Sequence, residues 1–435
     1  MGPEMLDRAR RIADELLWPA AEQVDSASTV PPSHLQALAS AGLMSIAAPG
    51  GPAPGAALLL PAVHEILAGG CGATSFVWAQ HHSPLRLVAA SPNGDLRNDL
   101  LAPMRSGALL AGIGFSHLRR RDPSLVAVPV PGCGKGGAAW ELSGRVPWLT
   151  SWGMADVFVL GARLEDGSIV WVAFRPDGSQ RYAARPLPLS VLGATGTVEL
   201  SLDRWMVSEA EVVSVESADS WRRRDALATA APSAGALGVV DRCARLLNDG
   251  DQAAARAGAA LQEQLRRVKA SGLALTRRRD RLAMSLQDRY VPGRPHPRLE
   301  AGGGPGSGLD GGPGGESGGG DPCEGDLTDA RSDESARGEG ALDLDHVTDD
   351  QSSRHGSEVS DSQRDELDRV LQKLHCVRAK GLLLAQKAAT AVVAANGGKA
   401  MAAGNPAQRL AREAAFYLVQ AQTAEGREAT LRAVS

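Results

Sequence analysis

No run of 18 apolar residues occurs in the chain, so a membrane-spanning helix is not expected. The first residues, Met1 to Leu17, mix charges with apolar side chains and lack the apolar stretch of a signal peptide, which points to the cytoplasm. Charge of one sign is lacking too. The net charge is -4, which provides no general attraction to nucleic acid or to an anionic membrane. Cysteine is sparse: Cys71, Cys133, Cys243, Cys323 and Cys376 are scattered, with no CxxC pair. That pattern argues against a zinc site, and no metal is expected; it suits reduced thiols. Aromatic residues make up only 4% of the sequence, so each one invites a reason.

What is present falls into blocks of different period. Leu6, Ala9, Ile12, Ala13, Leu16 and Leu17 recur at helical steps. Ser33 is placed to cap a second helix and Gly42 to end it. Pro49-Gly50-Gly51-Pro52 reads as a loop. Helices follow over Ala56 to Ala68 and from Thr74 to Leu87, with another ending near Ser106. From about Ala108 to Val213 the period changes to that of strands: Leu109 to Phe115, Leu125 to Val130, Trp140 to Thr150, Val157 to Leu164, Ile169 to Phe174 and Val198 to Trp205. Helices return near Ser220. One spans Ala226 to Leu247, where Gly235 and Gly238 permit close packing, and another spans Ala253 to Leu286. Helical period resumes at Glu366 and runs to Ala395. Asn396-Gly397-Gly398 stops it, and Asn405-Pro406 starts the last helix.

Between Tyr290 and Gln363 the chain is rich in Gly, Asp, Glu and Ser. Such a tract cannot bury enough apolar surface to offset chain entropy, and reads as disordered. It holds no GxxxxGK[ST] that would make it a phosphate-binding loop. The expected organisation is α+β: an N-terminal α-helical domain (1–107), a central β-domain (108–215), and a C-terminal helical bundle in two parts (216–289 and 364–435) divided by the 290–363 insert.

One stretch carries chemistry. Trp148 and Thr150 are two apart at the end of a strand, so they should share a face. A flat indole beside a small hydroxyl suits a flat polar heterocycle. Taken alone, the pair is also what a hairpin with a core tryptophan shows.

Four groups of residues together resemble the acyl-CoA dehydrogenase superfamily. They are Ala41-Gly42-Leu43 with Pro49-Gly50-Gly51; Gly144-Arg145-Val146-Pro147-Trp148-Leu149-Thr150-Ser151 with Ala155-Asp156; Asn396-Gly397-Gly398; and Pro406 with Arg409, Leu410, Arg412-Glu413-Ala414 and Tyr417. The resemblance covers nearly the whole chain apart from the insert. It implies FAD held between the β-domain and the C-terminal helices, usually across a subunit boundary in a homodimer or homotetramer. By position, Trp148 and Thr150 would contact the isoalloxazine, and Phe115 and Ser116 the flavin and substrate. Gly397 and Gly398 would meet the adenosine portion in a neighbouring subunit. The implied activity is oxidation of the CH–CH group of an acyl-CoA in fatty acid metabolism, with electrons passed to an acceptor flavoprotein or to oxygen.

The sequence departs from that pattern where it matters most. The proton-accepting glutamate of the family falls in one of two places, and the register puts Ala421 at one and Ala228 at the other. An alanine accepts no proton. Asp225 and Glu425 are the nearby carboxylates, and a base must come within hydrogen-bond reach of its proton. The family's Gly-Ser-Asp near the first strand is also missing; Arg119, Arg120 and Arg121 stand there and could meet phosphates. Two alternatives follow. One is a flavin-dependent monooxygenase on the same fold, with His81, His82, Ser116 and His117 as pocket candidates. The other is a non-catalytic flavin- or acyl-binding protein.

Overall fold

A computed structural model describes residues 2–48, 56–130, 139–287 and 349–435. The Pro49-Gly50-Gly51 loop, Cys133, Cys323 and most of the expected insert lie outside these residues.

Six helices come first: α1 (Gly2–Arg11), α2 (Trp18–Asp25), α3 (Pro32–Ser40), α4 (Ala56–Gly70), α5 (Gly72–Ala89) and α6 (Gly94–Ser106). A π-helical turn, Ile12–Leu17, joins α1 to α2. Gly42, at φ +75°, ends the α3 region in the left-handed conformation that favours glycine. Leu17, Leu38, Leu43, Leu67 and Trp78 are fully buried in the core of these helices.

Eight strands follow: β1 (Ala111–Gly114), β2 (Leu125–Val130), β3 (Ala139–Leu149), β4 (Val157–Arg163), β5 (Ile169–Phe174), β6 (Tyr182–Pro186), β7 (Val198–Val207) and β8 (Val212–Glu216). Their order is β6-β7-β3-β2-β4-β5-β8, with β1 paired to β4. Most neighbours are antiparallel; β1 and β2 each run parallel to β4. Alternation sorts the side chains of β4 and β5. Val157, Val159, Ile169 and Trp171 pack with α5 and α6. Phe158, Leu160, Val170, Val172 and Phe174 instead meet Leu125, Leu142, Val146, Leu149 and Leu200 from β2, β3 and β7.

The C-terminal bundle comprises α7 (Ala218–Ala230), α8 (Ala234–Asn248), α9 (Gln252–Gln287), α10 (Asp349–Asn396), α11 (Pro406–Val419) and α12 (Ala424–Val434). The single helix expected over Ala226 to Leu247 is two, because Pro232 forces the residue before it out of the helical region; Ala231 sits at ψ 151°. Helix α10 starts at Asp349, well before the expected Glu366. Gly238 lets α8 cross α4: a Cβ there would overlap the Glu65 carbonyl. Gly235 likewise leaves room for the Tyr417 ring.

Cys71 and Cys243 are free and buried, and burial pushes the Cys243 thiol up to about 12. Cys376 is disulfide-bonded, which departs from the expectation of reduced thiols throughout. No helix among the described residues is long and apolar enough to cross a membrane.

Candidate functional site

Strand β1 runs alongside the end of β3. Gly112 lies against the Phe158 ring and close to the Thr150 carbonyl, and Gly114 against Val146 and Leu160 and close to Leu149, so a Cβ at either would force a neighbour to move. Phe115 and Ser116 follow directly on this contact, and the Phe115 ring lies 6.2 Å from that of Trp171 on β5. The expectation that Trp148 and Thr150 share a face meets an irregularity: the register of β3 on β7 shifts between Val146 and Leu149. A bulge re-aims the side chains that follow it. Trp148 is 50% exposed while Thr150 is 6% exposed.

The turn after β3 is held by a second turn, Gly193–Thr195, which precedes β7. Ser151 N–H donates to the Thr195 carbonyl at 2.9 Å and Trp152 N–H to the Gly196 carbonyl at 3.0 Å. Two residues other than glycine are left-handed here, Ser151 at φ 74° and Leu192 at φ 57°. Each such residue costs on the order of 1 kcal/mol, and strain of this kind gathers at functional sites. Leu192 is kept in place by burial among the N-terminal helices. The Thr150 hydroxyl lies 3.2 Å from that of Thr197, which lies 2.8 Å from that of Thr195. Nothing in the local sequence marks Thr195 and Thr197 as partners of Thr150. The turn signal Gly193-Ala194-Thr195-Gly196-Thr197 was there, but a pairing with Thr150 is tertiary.

Several polar atoms around this junction are buried with no partner in the protein, including Ser116 Oγ and Ser151 Oγ. Buried hydroxyls are ordinarily paired. A half-exposed indole at the end of β3, followed within three residues by an unpaired buried hydroxyl, fits a flat heterocycle with polar edges. The histidine candidates divide. His81 accepts from Ala111 N–H at Nδ1 and so donates from Nε2 to the Met104 carbonyl, each at 3.1 Å. His117 donates from Nε2 to the Gly161 carbonyl at 2.9 Å. Both therefore tie elements together, and burial pushes each down to about 4. His82, packed against the Trp78 ring, has neither ring nitrogen paired.

The other predicted residues lie on the C-terminal side. Both oxygens of Asp225 on α7 accept from Arg119, each at 2.8 Å, and the Arg119 guanidinium lies over the Phe115 ring. Arg119 is thus engaged by protein groups, not left free for a phosphate. Glu425 is exposed in the first turn of α12. Its charge is felt by His375 on α10, which burial holds below the usual histidine range. Arg378, one helical turn on, donates to the Ala231 and Gln420 carbonyls at 2.9 and 2.8 Å. These are the C-caps of α7 and α11, where a cation opposes the negative helix ends. The same bonds bind together the two segments that hold Ala228 and Ala421. Gly397 and Gly398 form a 3-10 turn packed on α10 and α11. Open space surrounds both, so a ligand or another chain can approach closely. No cluster of three or more potential metal ligands occurs among the described residues.

Residues 3–108 match the sequence model of the acyl-CoA dehydrogenase N-terminal domain. The whole chain superposes on solved structures of the same architecture. Butyryl-CoA dehydrogenase from Megasphaera elsdenii aligns over 100% of this chain and 97% of its own, with a TM-score of 0.62 at 13% identity. The chain has the acyl-CoA dehydrogenase fold. PigA, solved with FAD and proline, aligns over 100% and 97%, with a TM-score of 0.65 at 13% identity. Dibenzothiophene monooxygenase (TdsC) from Paenibacillus sp. A11-2 aligns over 98% and 96%, with a TM-score of 0.62 at 13% identity. No curated protein matches the sequence. The family match and these neighbours support the superfamily resemblance carried by the motifs, and they support an α+β chain with helical domains flanking a β-sheet.

Proposed function

We propose that this protein is an FAD-dependent oxidoreductase of the acyl-CoA dehydrogenase type, acting on the CH–CH group of an acyl thioester. The observation that carries the flavin reading is the junction of β1 and β3. Half-exposed Trp148 and buried Thr150 stand at the end of β3, and the buried hydroxyls of Ser116, just past β1, and Ser151, just past Thr150, have no partner in the protein. Trp148 would cover one face of the ring system. Thr150, Ser116 and the backbone at Phe115 would meet its polar edge. Gly397 and Gly398 would receive the adenosine portion from a second copy in a homodimer or homotetramer. When bound, the flavin supplies the electron acceptor for the substrate; electrons then pass to an acceptor flavoprotein or to oxygen. Asp225 and Glu425 are the carboxylates to test as the proton acceptor.

A second reading, monooxygenation, is favoured by a specific observation. Ala228 and Ala421 leave both positions of the family's base without a carboxylate, and Asp225 is bound through both oxygens by Arg119. A monooxygenase needs no such base, and one neighbour of this fold is described as a monooxygenase. Fold alone does not decide between them.

Anaerobic absorbance titration of the flavin-loaded protein with a panel of acyl-CoAs separates the readings. Bleaching of the flavin band supports dehydrogenation. A flavin that no thioester bleaches, but that reoxidises rapidly in oxygen with substrate hydroxylation, supports the second reading. No turnover of either kind leaves a flavin-binding protein without catalysis.

A further inference from the structure

We infer that the exposed arginine face of α9 is a docking surface for an acidic stretch of the same chain, residues 310–348, which neutralises it. The inference is independent of the flavin reading.

Helix α9 sorts its side chains by face. At 100° per residue, Arg256, Arg266, Arg267, Arg277, Arg278 and Arg281 fall within an arc of about 120°. All six are exposed. The opposite side, with Leu261, Leu265 and Val268, is buried in the bundle. One carboxylate of α9 stands on the arginine face: Glu263, shared by Arg266 and Arg267. Arg278 pairs with Glu366 of α10. Arg256, Arg277 and Arg281 make no ion pair among the described residues. Arg277 and Arg281 are four apart, a spacing at which like charges destabilise a helix. Such a face gains from a counter-charge brought from elsewhere.

The sequence supplies one. Residues 310–348 hold eleven carboxylates and two arginines, a net charge of -9. The whole chain is -4, so everything outside that stretch is +5.

The stretch is tethered beside the face. Gln264 meets Lys387 and Arg278 meets Glu366, so α9 and α10 run antiparallel. Helix α9 ends at Gln287 and α10 begins at Asp349, which bracket the acidic residues at one end of the pair. The 22 residues 288–309 span up to about 75 Å when extended. Helix α9 is about 54 Å long, so the acidic stretch reaches every part of its arginine face. A tethered segment meets its surface at an effective concentration in the millimolar range, so a contact too weak for free molecules suffices. Contacts of this kind are screened by salt.

The test uses full-length protein and immobilised heparin, a sulfated polyanion that competes for the same arginines. Wild-type protein is expected to elute early in a salt gradient. Protein carrying Asp321→Asn, Glu324→Gln, Asp326→Asn, Asp329→Asn, Asp333→Asn and Glu334→Gln should elute at a salt concentration higher by about 0.1 M or more. Adding Arg256→Gln, Arg277→Gln and Arg281→Gln to that protein should return it to the wild-type position. These three positions are exposed and glutamine is a good helix former, so the variant is expected to fold. If wild-type and neutralised proteins are retained equally, the face is open to an outside polyanion and the inference is overturned. If neither is retained, the face attracts no polyanion and the inference is again overturned. A shift that survives the three glutamines places the acidic stretch on some other surface and overturns the assignment to α9.

Discussion

Arg119 and Asp225 meet through two hydrogen bonds of 2.8 Å, and this ion pair joins the end of the β1 loop to the first helix of the C-terminal bundle. Both side chains are largely shielded from water, so removing one partner strands the other. Asp225→Asn is expected to lower stability by about 1–3 kcal/mol, read as a drop in melting temperature. Any flavin reduction by acyl-CoA should persist within a few-fold. A loss of 100-fold or more with the melting temperature held would identify Asp225 as the base.

Ala228 lies exposed in the last turn of α7, at one of the two positions expected to hold the proton acceptor. Ala228→Glu should fold, since glutamate is a good helix former. A positioned base contributes on the order of 100-fold or more. The variant is therefore expected to raise the anaerobic flavin-bleaching rate with an acyl-CoA at least about 10-fold over wild type. A stopped-flow trace reads this directly, and an unchanged rate would count against a thioester substrate.

Gly238 has no room for even one methyl group, because the Glu65 carbonyl and the Ala68 side chain close on it. Gly238→Ala must push α8 away from α4, at a cost of about 1–3 kcal/mol. The midpoint of urea denaturation should fall accordingly, with an unchanged slope. An increase in stability from the better helix former would show that the two helices can separate freely.

His81 and His117 are fully buried, and burial holds each at about 4 in the folded chain against an ordinary 6.5. Above pH 6.5 they are neutral in both states and cost nothing. As pH falls below 6.5 the unfolded chain takes up protons that the folded chain refuses, so stability declines down to about pH 4. At pH 5.5 the loss is about 1 kcal/mol for each histidine. Urea midpoints at pH 7.5 and 5.5 check this, and equal midpoints would mean that both rings reach water.

Much of this architecture could be read from periodicity, and the failures have causes. Strands β6 and β8 escaped notice because they are the two edges of the sheet. With only one neighbour each, they need little apolar alternation, and β6 is largely exposed. The break between α7 and α8 was signalled by Pro232, but alanine-rich sequence on either side masked it. Trp148 and Thr150 were found by a period of two, and the bulge in β3 set their different exposures. The threonine chain was out of reach, since only the folded turns bring Thr150 to Thr197. Arg378 falls within the helical stretch from Glu366 to Ala395, where nothing in the local sequence sets it apart. Its two acceptors come from segments far from it in sequence.

The indole of Trp18 has the guanidinium groups of Arg242 and Arg409 over its ring, 4.4 and 5.0 Å from its centre. Arg409 also bonds Glu22, which lies 387 residues away in the chain. During synthesis the amino-terminal helices therefore emerge from the ribosome long before the side chains that complete their burial exist. Contacts of such long range close late. Helices α1 to α6 cover most of the apolar stripe of the first 25 residues among themselves, so what waits for α8 and α11 is the face of α2 that carries Trp18 and Glu22.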